Sequence, residues 1–283
     1  APMFHLGLTG YPLSHSLSPK IHTAALKACD LEGDYSLFPV HPDDKDGLKV
    51  LLDRVRTGEL TGLNITIPHK QNVFEFLDEL TPTARAIGAV NTIYVRDEKL
   101  IGDNTDALGF LSDLNKFLAE SPSPYGRGEG AREKFALVLG AGGSARAIVY
   151  ALVKDGWQVT IAARRIEQAQ ELAIQFESIR ALGFDFQEFH LMNFHLIVNT
   201  TPVGMFPGAD ESPWSAKIPL PKSAAIYDLV YNPRETKLVK DACAQRMKAT
   251  TGLGMLVEQA ALAFEIWTGH NPPRKIMFDS VVE

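Results

Sequence analysis

The sequence predicts an α/β protein of two domains, an N-terminal α/β domain followed by a Rossmann-type domain with a parallel sheet. Three observations support this fold class. The 283 residues are enough for two cores of ordinary size. Apolar runs rich in β-branched residues alternate with segments of helical period along the chain. In the second half, the apolar run Ala136-Leu137-Val138-Leu139 leads directly into a glycine-rich turn.

The elements follow from this alternation, which favours parallel sheet covered by helices. Strands are predicted at residues 6–9, 35–40, 62–67, 135–139, 158–163, 196–199 and 225–229. Helices are predicted at residues 21–26, 48–55, 108–118 and 256–267. The proline- and glycine-rich stretch at residues 121–130 is predicted to be a surface loop before the second domain's first strand.

Composition excludes several classes of protein. Hydrophobic residues make up 45% and charged residues 22% of the chain, and the formal charge is −6. We therefore expect no nucleic-acid and no membrane partner. Two distant cysteines, Cys29 and Cys243, favour free thiols in a reducing cytosol, with a disulfide left open. The histidines lack metal-ligand spacing, so no metal is expected. No signal-like N-terminus and no spanning apolar run is visible, which favours a cytoplasmic location.

The motif Gly140-x-Gly142-x-x-Ala145 is typical of a dinucleotide-binding turn. Gly140 permits the tight turn, Gly142 allows the backbone to approach a pyrophosphate, and Ala145 allows close packing of helix on strand. The N-terminus of the following helix favours phosphate. The alternative is a glycine-rich turn that binds nothing.

The end of the next strand indicates which dinucleotide binds. An NAD site usually has an acidic residue there, whereas this chain has Ala163-Arg164-Arg165 and no acid before Glu167. Guanidinium groups pair well with a 2′-phosphate. We therefore expect NADP rather than NAD. The alternative is an exposed basic start of a helix.

Polar clusters in the first half indicate a ligand site for a small, hydroxyl-rich molecule. They lie at residues 14–19, 64–70, 91–92 and 104–106, where strand ends or loops meet helices. Each has a local alternative: Ser18-Pro19 and Asp106 suit helix starts, and Pro68 suits the end of a strand.

The chain resembles the shikimate dehydrogenase family over nearly its whole length. The motifs that carry the resemblance occur in the family's order: Ser14-x-Ser16-x-Ser18-Pro19, Asn64-x-Thr66-x-Pro68-x-Lys70, Gly88-Ala89-x-Asn91-Thr92, Asn104-Thr105-Asp106, Gly140-Ala141-Gly142-Gly143, Asn199-Thr200-Thr201-Pro202-x-Gly204-Met205, Tyr231-Asn232-Pro233 and Gly252-x-Gly254-Met255-Leu256-x-x-Gln259. The family commonly has Asn-Arg-Thr where this chain has Ala163-Arg164-Arg165, so the strength of the NADP preference is open.

The resemblance implies reversible, NADPH-dependent reduction of 3-dehydroshikimate to shikimate, on the route to chorismate and the aromatic amino acids. It implies a discontinuous substrate-binding domain at residues 1–107 and 253–283 and an NADP-binding domain at residues 108–252. Lys70 and Asp106 match the catalytic pair. The implied substrate-binding residues are Ser14, Ser16, Asn64, Thr66, Asn91, Tyr231 and Gln259. The implied cofactor-binding residues are Gly140, Ala141, Gly142, Gly143, Ser144, Ala145, Ala163, Arg164, Arg165, Thr200, Thr201, Pro202, Gly252 and Met255.

Three alternatives stay open at this point. A quinate or dual quinate/shikimate dehydrogenase shares most of these motifs. A non-catalytic NADPH-sensing regulator would have no need for Lys70 together with Asp106. A tetrahydrofolate dehydrogenase of related architecture fits the Ser14-x-Ser16 pair less well. The sequence is compatible with a monomer or a homodimer.

Overall fold

The chain forms two compact units in the computed structural model, which describes residues 2–120, 133–176, 179–184, 189 and 192–282. The first unit comprises Ala1–Gly109 and Leu256–Glu283, and the second comprises Phe110–Met255. The boundaries lie two and three residues beyond the predicted ends at 107 and 252. The predicted loop at residues 121–130 lies outside the described residues.

The first unit contains a six-stranded sheet in the order β2-β1-β3-β5-β6-β4. Its strands are β1 Phe4–Gly10, β2 Gly33–Pro39, β3 Gly62–Ile65, β4 Glu79–Leu80, β5 Thr92–Arg96 and β6 Lys99–Asp103. Its helical segments are α1 Ser18–Ala28, α2 Lys45–Arg56, α3 His69–Asn72, a 3₁₀ turn Val73–Phe76, α4 Pro82–Ile87, the start of α5 Asp106–Ala119, most of α9 Leu253–Thr268, and α10 Arg274–Val282.

Helix α2 shows how the core of this unit forms. Leu48, Leu51, Leu52 and Val55 recur at helical spacing and are all buried in one apolar cluster with residues of β3 and β5. The helix begins where the Asp44 carboxylate accepts a hydrogen bond from the backbone of Gly47 at 2.8 Å.

The sheet of the first unit is mixed, which corrects the expectation of parallel sheet for this part of the chain. Strand β1 pairs with β2 and β3 in parallel, but β5 is antiparallel to both β3 and β6. A two-residue turn joins β5 to β6, with positive φ at Asp97 and Glu98. Such turns usually contain Asn-Gly or Asp-Gly, and this pair lacks glycine, so no hairpin is indicated by the local residues.

The second unit contains a six-stranded, wholly parallel sheet in the order β12-β11-β10-β7-β8-β9. Its strands are β7 Lys134–Leu139, β8 Trp157–Ala162, β9 Arg180–Leu182, β10 Leu196–Asn199, β11 Ala225–Asp228 and β12 Ala249–Thr251. Three of its helices are α6 Gly143–Lys154, α7 Ile166–Ile174 and α8 Lys237–Ala244. Numbered from its own first strand, this order is 3-2-1-4-5-6, the Rossmann arrangement. The predicted Rossmann-type domain is confirmed.

In the described part of the chain, no helix is both long and apolar enough to cross a lipid bilayer.

Candidate active site

Lys70 and Asp106 form a buried ion pair in the first unit. Lys70 is the second residue of the short helix α3, and Asp106 is the first residue of α5. Lys70 Nζ lies 2.6 Å from Asp106 Oδ2, and the two side chains are only 10% and 7% exposed. A pair so far removed from water is costly to bury unless further hydrogen bonds support it. Such support comes from the neighbouring amides.

Asn91 is the centre of this polar network. Its Nδ2 donates to Thr105 Oγ1 at 2.8 Å and to Asp106 Oδ1 at 3.0 Å. The same nitrogen lies 3.2 Å from Gln259 Oε1. Its Oδ1 accepts from the Thr92 hydroxyl at 2.9 Å and from the Thr105 backbone at 2.8 Å. Because every donor and acceptor of this amide is engaged, Asn91 holds the Asp106 carboxylate and the Gln259 amide in place.

Asn104 sets the start of α5, a contribution that sequence reasoning missed. Its Oδ1 accepts from the backbone N–H of Asp106 at 3.0 Å, and its Nδ2 donates to the carbonyl of Ala89 at 3.0 Å. The first residue of α5 is therefore fixed by a neighbouring amide, and the Asp106 carboxylate is left for Lys70 and Asn91. The position of Asn104 two residues before Asp106, visible in the motif Asn104-Thr105-Asp106, is the feature of the sequence that could have indicated this contact.

Asn64 is the last residue but one of strand β3 and is buried beside the same network. Its Nδ2 donates to the carbonyl of Asn91 at 3.1 Å and lies 3.3 Å from Thr92 Oγ1. Its Oδ1 accepts from the hydroxyl of Tyr35 at 2.9 Å. Tyr35 on β2 was not among the predicted site residues, because a lone tyrosine in a strand gives no functional signal.

The remaining predicted substrate-binding residues of the first unit are more accessible. Ser14 is exposed, whereas Ser16 and Thr66 are half-buried. Ser16 Oγ accepts from the backbone of Ser18 at 3.2 Å, so its own hydroxyl hydrogen stays available for donation. Gln259 Nε2 donates to the carbonyl of Leu256 at 2.8 Å.

Tyr231 differs from these residues because it lies in the second unit, shortly after β11. Burial raises the pKa of its phenol above the ordinary value. Its part in substrate binding stays a prediction.

The glycine-rich turn of the second unit lies between β7 and α6. Gly140 has a φ of +108°, and a Cβ there would lie 2.6 Å from Thr200 Oγ1, so only glycine fits. A Cβ on Gly142 would meet nothing within 4 Å, and α6 begins at the next residue. The turn thus presents open backbone at the N-terminus of a twelve-residue helix. Gly143 and Ser144 open that helix, and Ala141 and Ala145 flank the glycines, with Ala145 buried.

The end of β8 carries two exposed guanidinium groups. Ala163 is buried and its backbone donates to the carbonyl of Leu182 at 3.2 Å, whereas Arg164 and Arg165 are both exposed. Arg165 stands at the cap of α7. Among the residues that the structure describes, neither arginine forms an ion pair. Two unpaired cations at this strand end suit a phosphate group.

Other predicted cofactor residues surround the end of β10. Thr200 Oγ1 donates to the carbonyl of Leu139 at 2.7 Å, which links this strand end to the glycine-rich turn. Thr201 donates to Asn199 Oδ1 from its backbone at 3.0 Å and from its hydroxyl at 2.7 Å. Pro202 is exposed. Gly252 and Met255, at the C-terminal end of this unit, are both buried.

Asp228 is a second residue that sequence reasoning missed. It ends β11 with no exposed surface, and it accepts from Asn199 Nδ2 at 2.8 Å and from Thr236 Oγ1 at 2.7 Å. Burial raises the pKa of this carboxyl to about 6, and the hydrogen bonds from Thr236, Asn199 and the backbone of Val230 partly oppose that rise. Asp228 thus fixes Asn199 and, through it, Thr201.

No cluster of three or more metal-ligating His, Cys, Asp or Glu side chains occurs in the described part of the chain. Both cysteines are free thiols.

A chain that contains both a Rossmann-type unit with this turn and a unit with a buried lysine–carboxylate pair is typical of two-domain, dinucleotide-dependent dehydrogenases. Residues 8–93 match the shikimate dehydrogenase substrate binding domain, residues 127–205 match shikimate/quinate 5-dehydrogenase, and residues 252–280 match the shikimate 5'-dehydrogenase C-terminal domain.

Known proteins agree with these matches. A shikimate dehydrogenase (NADP(+)) of Carboxydothermus hydrogenoformans is 40% identical over 275 residues, covering 96% of this chain and 94% of the relative. One from Methanococcus maripaludis is 36% identical over 276 residues, with coverage of 96% and 94%. The Thermus thermophilus shikimate 5-dehydrogenase, solved with NADP(H) and shikimate, is 36% identical with a TM-score of 0.85 and covers 98% of each chain. The chain belongs to the shikimate dehydrogenase family.

Proposed function

We propose that this protein is an NADP-dependent shikimate dehydrogenase that reversibly reduces 3-dehydroshikimate to shikimate in chorismate and aromatic amino acid biosynthesis. The observation that carries the proposal is the buried Lys70–Asp106 pair, held by Asn91, in a chain of this family. A sensor of nucleotide would gain nothing from burying such a pair, since burial costs stability unless it serves chemistry or specificity.

The second unit fits NADPH, which supplies the hydride that reduces the substrate ketone. The open backbone at Gly142 and the N-terminus of α6 suit a pyrophosphate. The exposed guanidinium groups of Arg164 and Arg165 suit the 2′-phosphate that distinguishes NADP from NAD.

Lys70 supplies what the ketone oxygen needs as the carbonyl is reduced. Negative charge develops on that oxygen, and the Lys70 ammonium stabilises the charge and then donates a proton from Nζ. In the oxidative direction the neutral amine accepts the proton of the substrate hydroxyl. Asp106, 2.6 Å from Nζ, orients the ammonium and accepts a hydrogen bond from an adjacent substrate hydroxyl.

The other polar residues select the substrate. The hydroxyls of Ser14 and Ser16 bind its carboxylate. Asn64, Thr66 and Gln259 contact its ring hydroxyls, while Asn91 acts mainly by holding Asp106 and Gln259. We place the enzyme in the cytoplasm, in keeping with its two unpaired thiols.

The test is the initial rate of NADP⁺ reduction with shikimate, measured beside quinate and beside NAD⁺. We expect turnover with shikimate and NADP⁺ that exceeds the rate for the other three combinations. Comparable rates with quinate would identify a dual shikimate/quinate enzyme. Tight NADPH binding without turnover of any substrate would identify the non-catalytic sensor and overturn the proposal.

A further inference from the structure

The amide of Asn64 has only one possible orientation, because one of its neighbours has fixed polarity. Its terminal nitrogen lies 3.1 Å from the carbonyl oxygen of Asn91, which can only accept a hydrogen bond. Oδ1 therefore faces the hydroxyl of Tyr35, which donates to it at 2.9 Å. The second amide hydrogen is directed to Thr92 Oγ1 at 3.3 Å. Both hydrogens are committed inside the protein, and one lone pair of Oδ1 remains.

The Tyr35 ring is itself held rigidly. It is buried and stacks on the imidazole of His22, with ring centroids 4.3 Å apart and planes within 4°. The His22 ring is wholly buried and also contacts the ring of Trp267, whose Nε1 donates to the carbonyl of Ile93 at 3.1 Å. The hydroxyl of Tyr35 thus cannot leave Asn64 without disturbing this aromatic stack.

His22 acts in this stack as a neutral ring. Burial lowers its pKa to about 3, and the nearby Asn64 side chain opposes this only in part. Among the described residues, neither ring nitrogen has a hydrogen-bond partner of good geometry. The Tyr35 hydroxyl, 2.9 Å from Oδ1, is therefore the neighbour that makes the well-formed hydrogen bond to this atom.

We infer that Tyr35 is a positioning residue: it holds Asn64 Oδ1, whose orientation the carbonyl of Asn91 sets, in place as a hydrogen-bond acceptor toward the substrate. The inference rests on the proposed function, in which Asn64 contacts a ring hydroxyl. A hydroxyl can donate to the remaining lone pair of Oδ1, whereas a carbonyl oxygen at that position would face another acceptor. Tyr35 and Asn64 together select a substrate with a hydroxyl at this position.

The first experiment compares the wild type with Tyr35→Phe, which removes only the hydroxyl. Loss of a buried donor weakens shikimate binding by roughly tenfold, measured by titration calorimetry. The KM for shikimate rises by a similar factor, while the NADPH affinity stays the same and kcat falls by no more than about threefold. Tyr94→Phe is the matched control, because Tyr94 is buried in the same sheet and, among the described residues, forms no hydrogen bond with the Asn64 side chain. It should bind shikimate as the wild type does.

A double-mutant cycle separates positioning from a general loss of structure. If Tyr35 acts through Asn64, adding Tyr35→Phe to Asn64→Ala changes the shikimate affinity by less than about twofold. Asn64→Ser replaces Asn64→Ala if the latter does not fold. Tenfold loss in both backgrounds, or no loss in Tyr35→Phe alone, overturns the inference. A wild type that neither binds nor oxidises shikimate overturns the proposed function and this inference together.

Discussion

At the scale of single residues, the Lys70–Asp106 pair determines what the first unit can do. Removing Lys70 leaves the buried Asp106 carboxylate without its cation, although Asn91 still donates to it at 3.0 Å. The uncompensated charge costs stability as well as chemistry. Activity and folding therefore have to be measured separately.

We expect Lys70→Ala to lower kcat by about 10²–10⁴-fold, because the variant lacks the proton donor at the substrate oxygen. NADPH affinity should stay at the wild-type value, which a fluorescence titration can measure. Lys99→Ala is the control, since Lys99 is exposed and pairs with Glu79 away from the network. Near-normal turnover in a folded Lys70→Ala protein would exclude lysine from the mechanism.

Arg164 tests the assignment of the cofactor at the same scale. Arg164→Ala should raise the KM for NADP⁺ roughly 10–100-fold, the range for a lost charged hydrogen bond, and leave the KM for NAD⁺ nearly unchanged. Lys240→Ala removes an exposed charge elsewhere in the second unit and should change neither value. Equal increases for both cofactors would mean that Arg164 does not recognise the 2′-phosphate.

At the scale of elements, the turn between β7 and α6 contains two glycines with different roles. Gly142→Ala should keep the wild-type melting temperature, because φ is −83° and the added methyl meets no protein atom within 4 Å. The methyl would occupy the space where the pyrophosphate meets the backbone, so NADPH affinity should fall roughly ten- to a hundredfold.

Gly140→Ala is the contrasting variant for this prediction. Its φ of +108° and the Thr200 hydroxyl leave no room for a Cβ, so the free energy of unfolding should fall by about 1–3 kcal/mol. Calorimetric melts and NADPH titrations of both variants separate the two effects. A loss of stability in Gly142→Ala with unchanged NADPH affinity would contradict the assignment of the turn.

The elements that could be predicted from the sequence are those with a recognisable local pattern of residues. The Rossmann sheet follows from strands and a glycine turn whose periodicity and spacing are visible in the chain, and residues 196–199 form β10 as predicted. The β5–β6 hairpin was missed because Asp97-Glu98 carries no turn signal. The contact from Tyr35 to Asn64 and the burial of Asp228 depend on residues distant in the chain. Neither the Tyr35–Asn64 contact nor the burial of Asp228 produces a local sequence pattern from which it could be predicted.

At the scale of the whole molecule, the described part of each unit contains a buried titratable side chain whose shifted pKa couples stability to pH. His22 in the first unit has its pKa lowered from 6.5 to about 3. Between these values the unfolded state binds a proton that the folded state does not, so stability falls as the pH falls below 6.5. Asp228 in the second unit has its pKa raised from 3.8 to about 6. There the folded state holds the extra proton, so stability falls as the pH rises through this window.

The two units should therefore respond to pH in opposite directions. When the pH is lowered from 7.5 to 5, the titration of His22 lowers the free energy of unfolding of the first unit by about 2 kcal/mol. The titration of Asp228 raises that of the second unit by about 1 kcal/mol. His22→Phe keeps a ring for the stack with Tyr35 and should reduce the acid-side loss. Asp228→Asn keeps acceptors for Asn199 and Val230 and should reduce the loss toward neutral pH. Calorimetric unfolding of the wild type and both variants at the two pH values measures these differences, and a shift of the same sign in both variants would refute the assignment.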